Sequence, residues 1–94
     1  MEFEWDENKN RLNFEKHGID FNLAKTSFNG EIVTKVDVRF DYGEIRQVAL
    51  GEVEGRVLFV VYTERGDVIR IISARKANKK ERKVYYDQIK KGTA

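Results

Sequence analysis

Ile45-Arg46-Gln47-Val48-Ala49-Leu50-Gly51-Glu52-Val53, then Glu54-Gly55, then Arg56-Val57-Leu58-Phe59-Val60-Val61-Tyr62-Thr63 is the stretch that decides the fold. Two runs rich in β-branched and aromatic residues flank two residues, the second a glycine, which is a tight hairpin signal. Downstream, Arg65-Gly66-Asp67 turns the chain into a further strand, Val68 to Ala74. Its apolar residues at both parities place it inside a sheet covered on each side. Upstream, Ile32 to Phe40 alternates, with Val36, Val38 and Phe40 on one side and Lys35, Asp37 and Arg39 on the other. Asp41-Tyr42-Gly43-Glu44 reads as the turn between this strand and the hairpin.

Outside the strands the period is helical. After an apolar-polar start at Phe3 and Trp5, Asp6 is a helix N-cap, Glu7 suits the positive end of the helix dipole, and Gly18 supplies a left-handed stop after His17. Asp20 caps a second helix, Phe21 to about Phe28, with Phe21, Ala24 and Phe28 on one face, and Asn29-Gly30 closes it. Asn78, with Glu81 as capping-box partner, opens a last helix from Lys79 to about Lys90. The expected fold is α+β: a small antiparallel four-stranded sheet, preceded by two helices and followed by a C-terminal helix, with the helices on one face. Residues 1–94 form a single domain with a loose tail from about 90 to 94.

The chain has 94 residues, 40% of them hydrophobic and 36% charged, with no Cys and no Pro. A chain this short supports one modest core, which excludes an enzyme with its own cofactor domain. Without Cys there is no disulfide framework, thiolate nucleophile or Cys-ligated zinc. One His makes no two-His metal motif, and no phosphate- or dinucleotide-binding glycine pattern occurs, so neither metal nor cofactor is expected. The longest apolar run, Val57 to Tyr62, is far short of the roughly 20 residues that span a bilayer, and the acidic N-terminus is unlike a signal peptide, so the chain reads as cytoplasmic, with no membrane partner. The net charge of +2 hides an asymmetry: residues 1–64 carry 8 Lys/Arg against 13 Asp/Glu, and residues 65–94 carry 10 against 3. A cationic C-terminal third attracts polyanions.

Three groups of polar residues are candidates for function. Lys9, Asn13 and Lys16 share a face of the first helix, with His17 beside them, as a donor-rich strip or as an ordinary solvated face. Protonated, His17 also suits the negative end of that helix. Arg70, between Ile69 and Ile71, must find a carboxylate, carbonyls or a wet cleft, and on an open face it projects with Val68 and Ile72. Arg75, on the opposite parity, marks the strand end. Arg46, Glu64-Arg65 and Arg82 complete the set, each also readable as a surface ion pair.

Phe3-Glu4-Trp5-Asp6-Glu7-Asn8-Lys9, Asn13, Lys16-His17-Gly18-Ile19, Asp41-Tyr42-Gly43-Glu44-Ile45-Arg46, Gly51, Val61-Tyr62-Thr63-Glu64-Arg65, Arg70-Ile71-Ile72-Ser73-Ala74-Arg75-Lys76-Ala77, Glu81-Arg82 and Tyr85 together resemble the BrnT family, the toxins of type II toxin-antitoxin modules. The resemblance runs from residue 3 to about 86. It implies a RelE-like ribonuclease fold, RNA cleavage that blocks translation, and a BrnA-type ribbon-helix-helix antitoxin in a 2:2 assembly, with operator DNA reached only through the antitoxin.

RNA carries its own nucleophile, the ribose 2′-hydroxyl, so cations converging on the phosphate plus a proton-transfer group suffice without metal. The expected catalytic set is His17, Arg70, Arg75, Glu64 and Lys16, with His17 chosen for an intrinsic pKa near 6.5. The expected RNA-binding set is Lys9, Arg46, Arg65, Lys76, Lys79 and Arg82. In the last helix Lys80 and Lys83 join the backbone contacts, and Tyr85, Tyr86 and Ile89 mix core packing with partner contact. The competing reading is a non-catalytic RNA- or protein-binding module using the same basic face.

Overall fold

A computed structural model describes residues 1–41 and 44–92, with the backbone alone for 37–41. In chain order the elements are β1 Glu2–Glu4, α1 Glu7–His17, α2 Phe21–Ala24, a 3₁₀ segment Lys25–Asn29, β2 Ile32–Asp41, β3 Glu44–Val53, β4 Arg56–Arg65, β5 Val68–Lys76 and α3 Lys79–Gly92. The caps form as the sequence predicts. Asp6 accepts from the Lys9 backbone N–H at 3.1 Å, and Gly18, at φ 72°, donates its N–H to the Phe14 carbonyl at 2.8 Å. Asn78 and Glu81 cap each other's N–H groups at 2.8 Å. The β3–β4 hairpin turns on Glu54 (φ 52°) and Gly55 (φ 79°), both in the left-handed region that a two-residue primed turn requires.

Several expectations need correction. The sheet has five strands in the order β1-β5-β4-β3-β2, not four, because the apolar-polar start is itself a strand. It is mixed rather than antiparallel, since β1 runs parallel to β5 with Glu2, Phe3 and Glu4 opposite Val68, Ile69 and Arg70. The helices do not share a face. Ile19, Phe21 and Ala24 pack with Ala49, Leu58, Val60, Ile69 and Ile71 on one side, while Tyr85 packs with Leu50 and Val57 on the other. The reason is legible in β4, whose apolar residues at both parities demand a cover on each face.

The second helix is shorter than its pattern suggests. The Thr26 and Ser27 hydroxyls donate to the Leu23 and Ala24 carbonyls at 2.6 and 2.7 Å, three residues back, and the chain tightens there into 3₁₀ geometry. Phe21 and Ala24 are buried and Phe28 packs against them, as expected. Gly51 lets this segment approach, since a Cβ there would stand 2.9 Å from the Ser27 Cβ. Val36 is largely exposed rather than half-buried, and the side chains of Val38 and Phe40 lie outside the described residues. So does part of the expected Asp41–Glu44 turn. The tail expected loose from 90 is helical through Gly92, and Thr93 and Ala94 lie outside the described residues. Among the described residues no helix is long and apolar enough to cross a membrane.

β1 covers only the first three residues of β5, which leaves the rest of that edge open. α1 closes it. The Asn13 side-chain amide donates at 2.9 Å to the Ala74 carbonyl, also donates at 2.9 Å to Ile19, and accepts the Ala74 N–H at 3.1 Å. Asn10 completes the seam by accepting the Phe21 N–H at 2.8 Å. Asn13→Ala removes three buried hydrogen bonds and leaves backbone groups unpaired, which should cost roughly 2–4 kcal/mol in a urea unfolding measurement. An effect below about 1 kcal/mol would show that the seam does not hold α1.

A candidate anion-binding cleft

On the sheet face that α3 covers only in part, strand alternation gathers a row of polar side chains. Arg70 on β5 is paired with Glu4 on β1 and with Thr63 on β4. Partnered residues of neighbouring strands point to the same face, about 4.8 Å apart. On β3, Arg46 precedes Gln47, the partner of Tyr62, and so extends the row beside Thr63. Two residues along β4, Arg65 joins the same face with Glu44 opposite. Lys9 arrives from the first turn of α1. Lys9, Glu44, Arg46, Thr63, Arg65, Arg70 and Ile72 line a cleft of about 180 Å³.

Four cations therefore face two carboxylates. Arg65 holds Glu44 in a bidentate pair, Nε to Oε2 at 2.8 Å and Nη2 to Oε1 at 2.7 Å. Glu4 takes Arg70 at close range and stands 3.9 Å from Arg65, bridging the two guanidinium groups. Hydrogen bonding from Arg65 holds the Glu44 carboxyl below its ordinary range, so it is ionised at neutral pH and is a weak base. These pairs are partly exposed, so they orient the guanidinium groups more than they stabilise the fold. Thr63 is the buried member of the row. Its residue is 3% exposed, and its hydroxyl is buried without a hydrogen-bond partner. Such an omission costs about 1–3 kcal/mol.

The structure sorts the predicted residues into two groups. Arg46, Arg65, Arg70 and Lys9 converge, and Ile72 accompanies Arg70 as expected. Arg75 does not join them. An extra residue on β5 at the Val61/Tyr62 register shift returns Arg75 to the face of Arg70, correcting the parity read from sequence. It lies five residues, roughly 16 Å, further along the strand. There it clamps Glu81 through two bonds of 2.9 Å and stacks on Phe59 at 4.0 Å, a structural role that ties α3 to the sheet. Glu64, on the other parity of β4, borders a hollow on the opposite face with Met1 and Ile69. His17 lies eight residues beyond Lys9, about 12 Å along α1, and Lys16 is one residue nearer. Neither lines the cleft. Asn13 is buried in the edge seam and is no part of a solvated strip.

Lys76, Lys79 and Arg82 stand at the α3 end of the molecule, exposed, with Arg82 bonded to the Ala77 carbonyl at 3.0 Å. Tyr85 is buried and donates to the Glu31 carbonyl at 2.9 Å, while Tyr86 is half-exposed and bonds Glu52 at 2.6 Å. Sequence reasoning missed Glu4 and Thr63. Thr63 was recoverable from its parity with Arg65; Glu4 was not, because only the parallel pairing of β1 places it.

A protein-family model described as "Ribonuclease toxin, BrnT, of type II toxin-antitoxin system" matches residues 5–81, most of the chain. No curated protein matches it.

The Arg75–Glu81 clamp carries a pH signature. Hydrogen bonding from Arg75 leads, with the Asn78 N–H behind it, in holding the Glu81 carboxyl below its ordinary 4.5. A depressed carboxyl contributes stability above about pH 4.5 that is lost as pH falls through the folded-state pKa. Glu81→Gln should therefore melt below the parent at pH 7, and the gap should narrow at pH 3. An unchanged gap would show that the carboxylate's charge is not what counts.

Proposed function

The chain belongs to the BrnT family, ribonuclease toxins of type II toxin-antitoxin systems, whose toxins are held by a protein antitoxin; from that membership we propose that it cuts RNA in the cleft of Lys9, Arg46, Arg65 and Arg70. The observation that carries this reading is the convergence of four cations from four elements over one hollow. The 2′-oxygen attacks the adjacent phosphorus and the bond to the 5′-oxygen breaks, leaving a 2′,3′-cyclic phosphate. The 2′ proton passes to solvent and a solvent proton goes to the leaving oxygen, so the step needs no metal.

The cleft contributes charge stabilisation. Arg46 and Arg70 flank the phosphate where negative charge grows, and one well-placed donor of this kind is worth about 10²–10³ in rate. Arg65 and Lys9 hold neighbouring phosphates. An incoming phosphodiester competes with Glu4 and Glu44 for the guanidinium groups, which are already turned toward the hollow and so lose little freedom on binding. Lys76, Lys79 and Arg82 extend the track for the RNA backbone. The wider reading is a RelE-like toxin that blocks translation in the cytoplasm. Its antitoxin is a BrnA-type ribbon-helix-helix protein that covers the basic face in a 2:2 complex and carries the operator DNA contact.

Cleavage of a labelled RNA by purified protein in EDTA tests the reading. Cyclic-phosphate ends should appear, and Arg46→Ala and Arg70→Ala should each slow the reaction by about 10²–10³. His17→Ala decides between the cleft and the residue favoured by intrinsic pKa: the cleft reading expects cleavage within a few-fold of the parent. RNA binding without new ends would instead establish a non-catalytic module.

A further inference from the structure

Thr63 is the least explained residue of the cleft. It stands in the middle strand, partnered with Arg70 and beside Arg46, with Arg65 two residues on. A valine would fill the same space without a buried hydroxyl. Here the residue borders the hollow, while its hydroxyl is buried just beneath and bonds to nothing in the described structure. It is not needed by the fold, since no backbone or side-chain group uses it. Its neighbours are long cations, Lys9, Arg46, Arg65 and Arg70, which an arriving anion draws toward itself, uncovering what lies beneath.

We propose that the Thr63 hydroxyl is the floor of an oxyanion subsite between Arg46 and Arg70, donating to a non-bridging oxygen of a phosphoryl group held there. The inference rests on the reading of the cleft as the site where RNA is bound. The chemistry fits the position. A hydroxyl rotor turns its hydrogen to whichever oxygen approaches, and O–H to anionic oxygen is a short, charge-assisted bond. The two guanidinium groups supply charge from the sides, and the hydroxyl supplies a donor from below, where neither can reach. Three donors on three adjacent strands match the spread of a tetrahedral anion better than any pair does.

Titration of the labelled protein with inorganic phosphate at constant ionic strength, followed by amide NMR, tests this. The parent should show saturable shifts around residues 46, 63 and 70. Thr63→Val should weaken phosphate by at least five-fold while melting no lower than the parent, because the hydroxyl it removes had no partner. Thr63→Ser should bind within two-fold of the parent. The subsite is overturned if the parent shows no saturable shift, if Thr63→Val binds as tightly as the parent, or if Thr63→Ser loses binding along with it. Cleavage of RNA separates the two readings. A parent that cuts RNA while Thr63→Val binds phosphate unchanged sinks only the subsite, whereas a Thr63-dependent phosphate site in a protein that cuts nothing sinks only the ribonuclease.

Discussion

The rest of the molecule depends on one side chain that acts as backbone. β5 is an interior strand only where β1 lies beside it, and past Arg70 its edge would be bare. A bare edge is both unpaired and adhesive. The Asn13 amide presents one acceptor and one donor to Ala74, as a neighbouring strand would, and α1 is fastened along the edge by that contact. Because α1 is fastened there, its first turn comes to rest over Arg70 and Ile72, and Lys9 reaches the cleft. The same amide reaches Ile19, which begins the packed core under the sheet. Edge closure, core and site thus share a single anchor.

The arginines divide by what surrounds their carboxylate partners. Arg75 and Glu81 form a closed unit: two bonds, a ring beneath, and the carboxylate also engaged by a helix N-terminus. Both oxygens of this carboxylate are thereby engaged. Arg65, Arg70 and their two glutamates form an open unit, in which Glu4 is shared between two guanidinium groups and positive charge exceeds negative across the hollow. An anion enters the second arrangement by replacing a carboxylate oxygen; in the first it would have to dismantle the join between α3 and the sheet.

Much of this was legible in the sequence, and the failures have physical causes. Caps, the Glu54-Gly55 hairpin turn and the four long strands are local signals, each decided by a few consecutive residues, and they appear where they were read. The convergence of Arg46, Arg65 and Arg70 follows from strand parity, which is also local. β1 escaped because three residues cannot display a period of two; its existence is decided by an edge 66 residues away. Arg75 was assigned to the wrong side because a bulge shifts parity by one and has no signature in Ile71-Ile72-Ser73-Ala74. His17, favoured for its intrinsic acidity, does not line the cleft, since acidity does not fix where a side chain stands. Glu64 stands at a hollow on the opposite face because alternation puts it one residue off the face that holds Thr63 and Arg65.

The parallel pairing of β1 with β5 also has a kinetic consequence. Glu4 and Arg70 are among the most distant residues in the chain to touch, and closing a loop of that length is entropically costly before any contact rewards it. Everything between them, the central hairpin included, folds on shorter connections. During synthesis Lys9 and Glu4 leave the ribosome early and wait, while Arg65 and Arg70 emerge only with the last third of the chain. A nascent or prematurely terminated polypeptide ending before Val68 holds most of the hydrophobic core but lacks β5, and with it Arg70 and Ile72, so the polypeptide gains its full charge constellation only near the completion of its own translation.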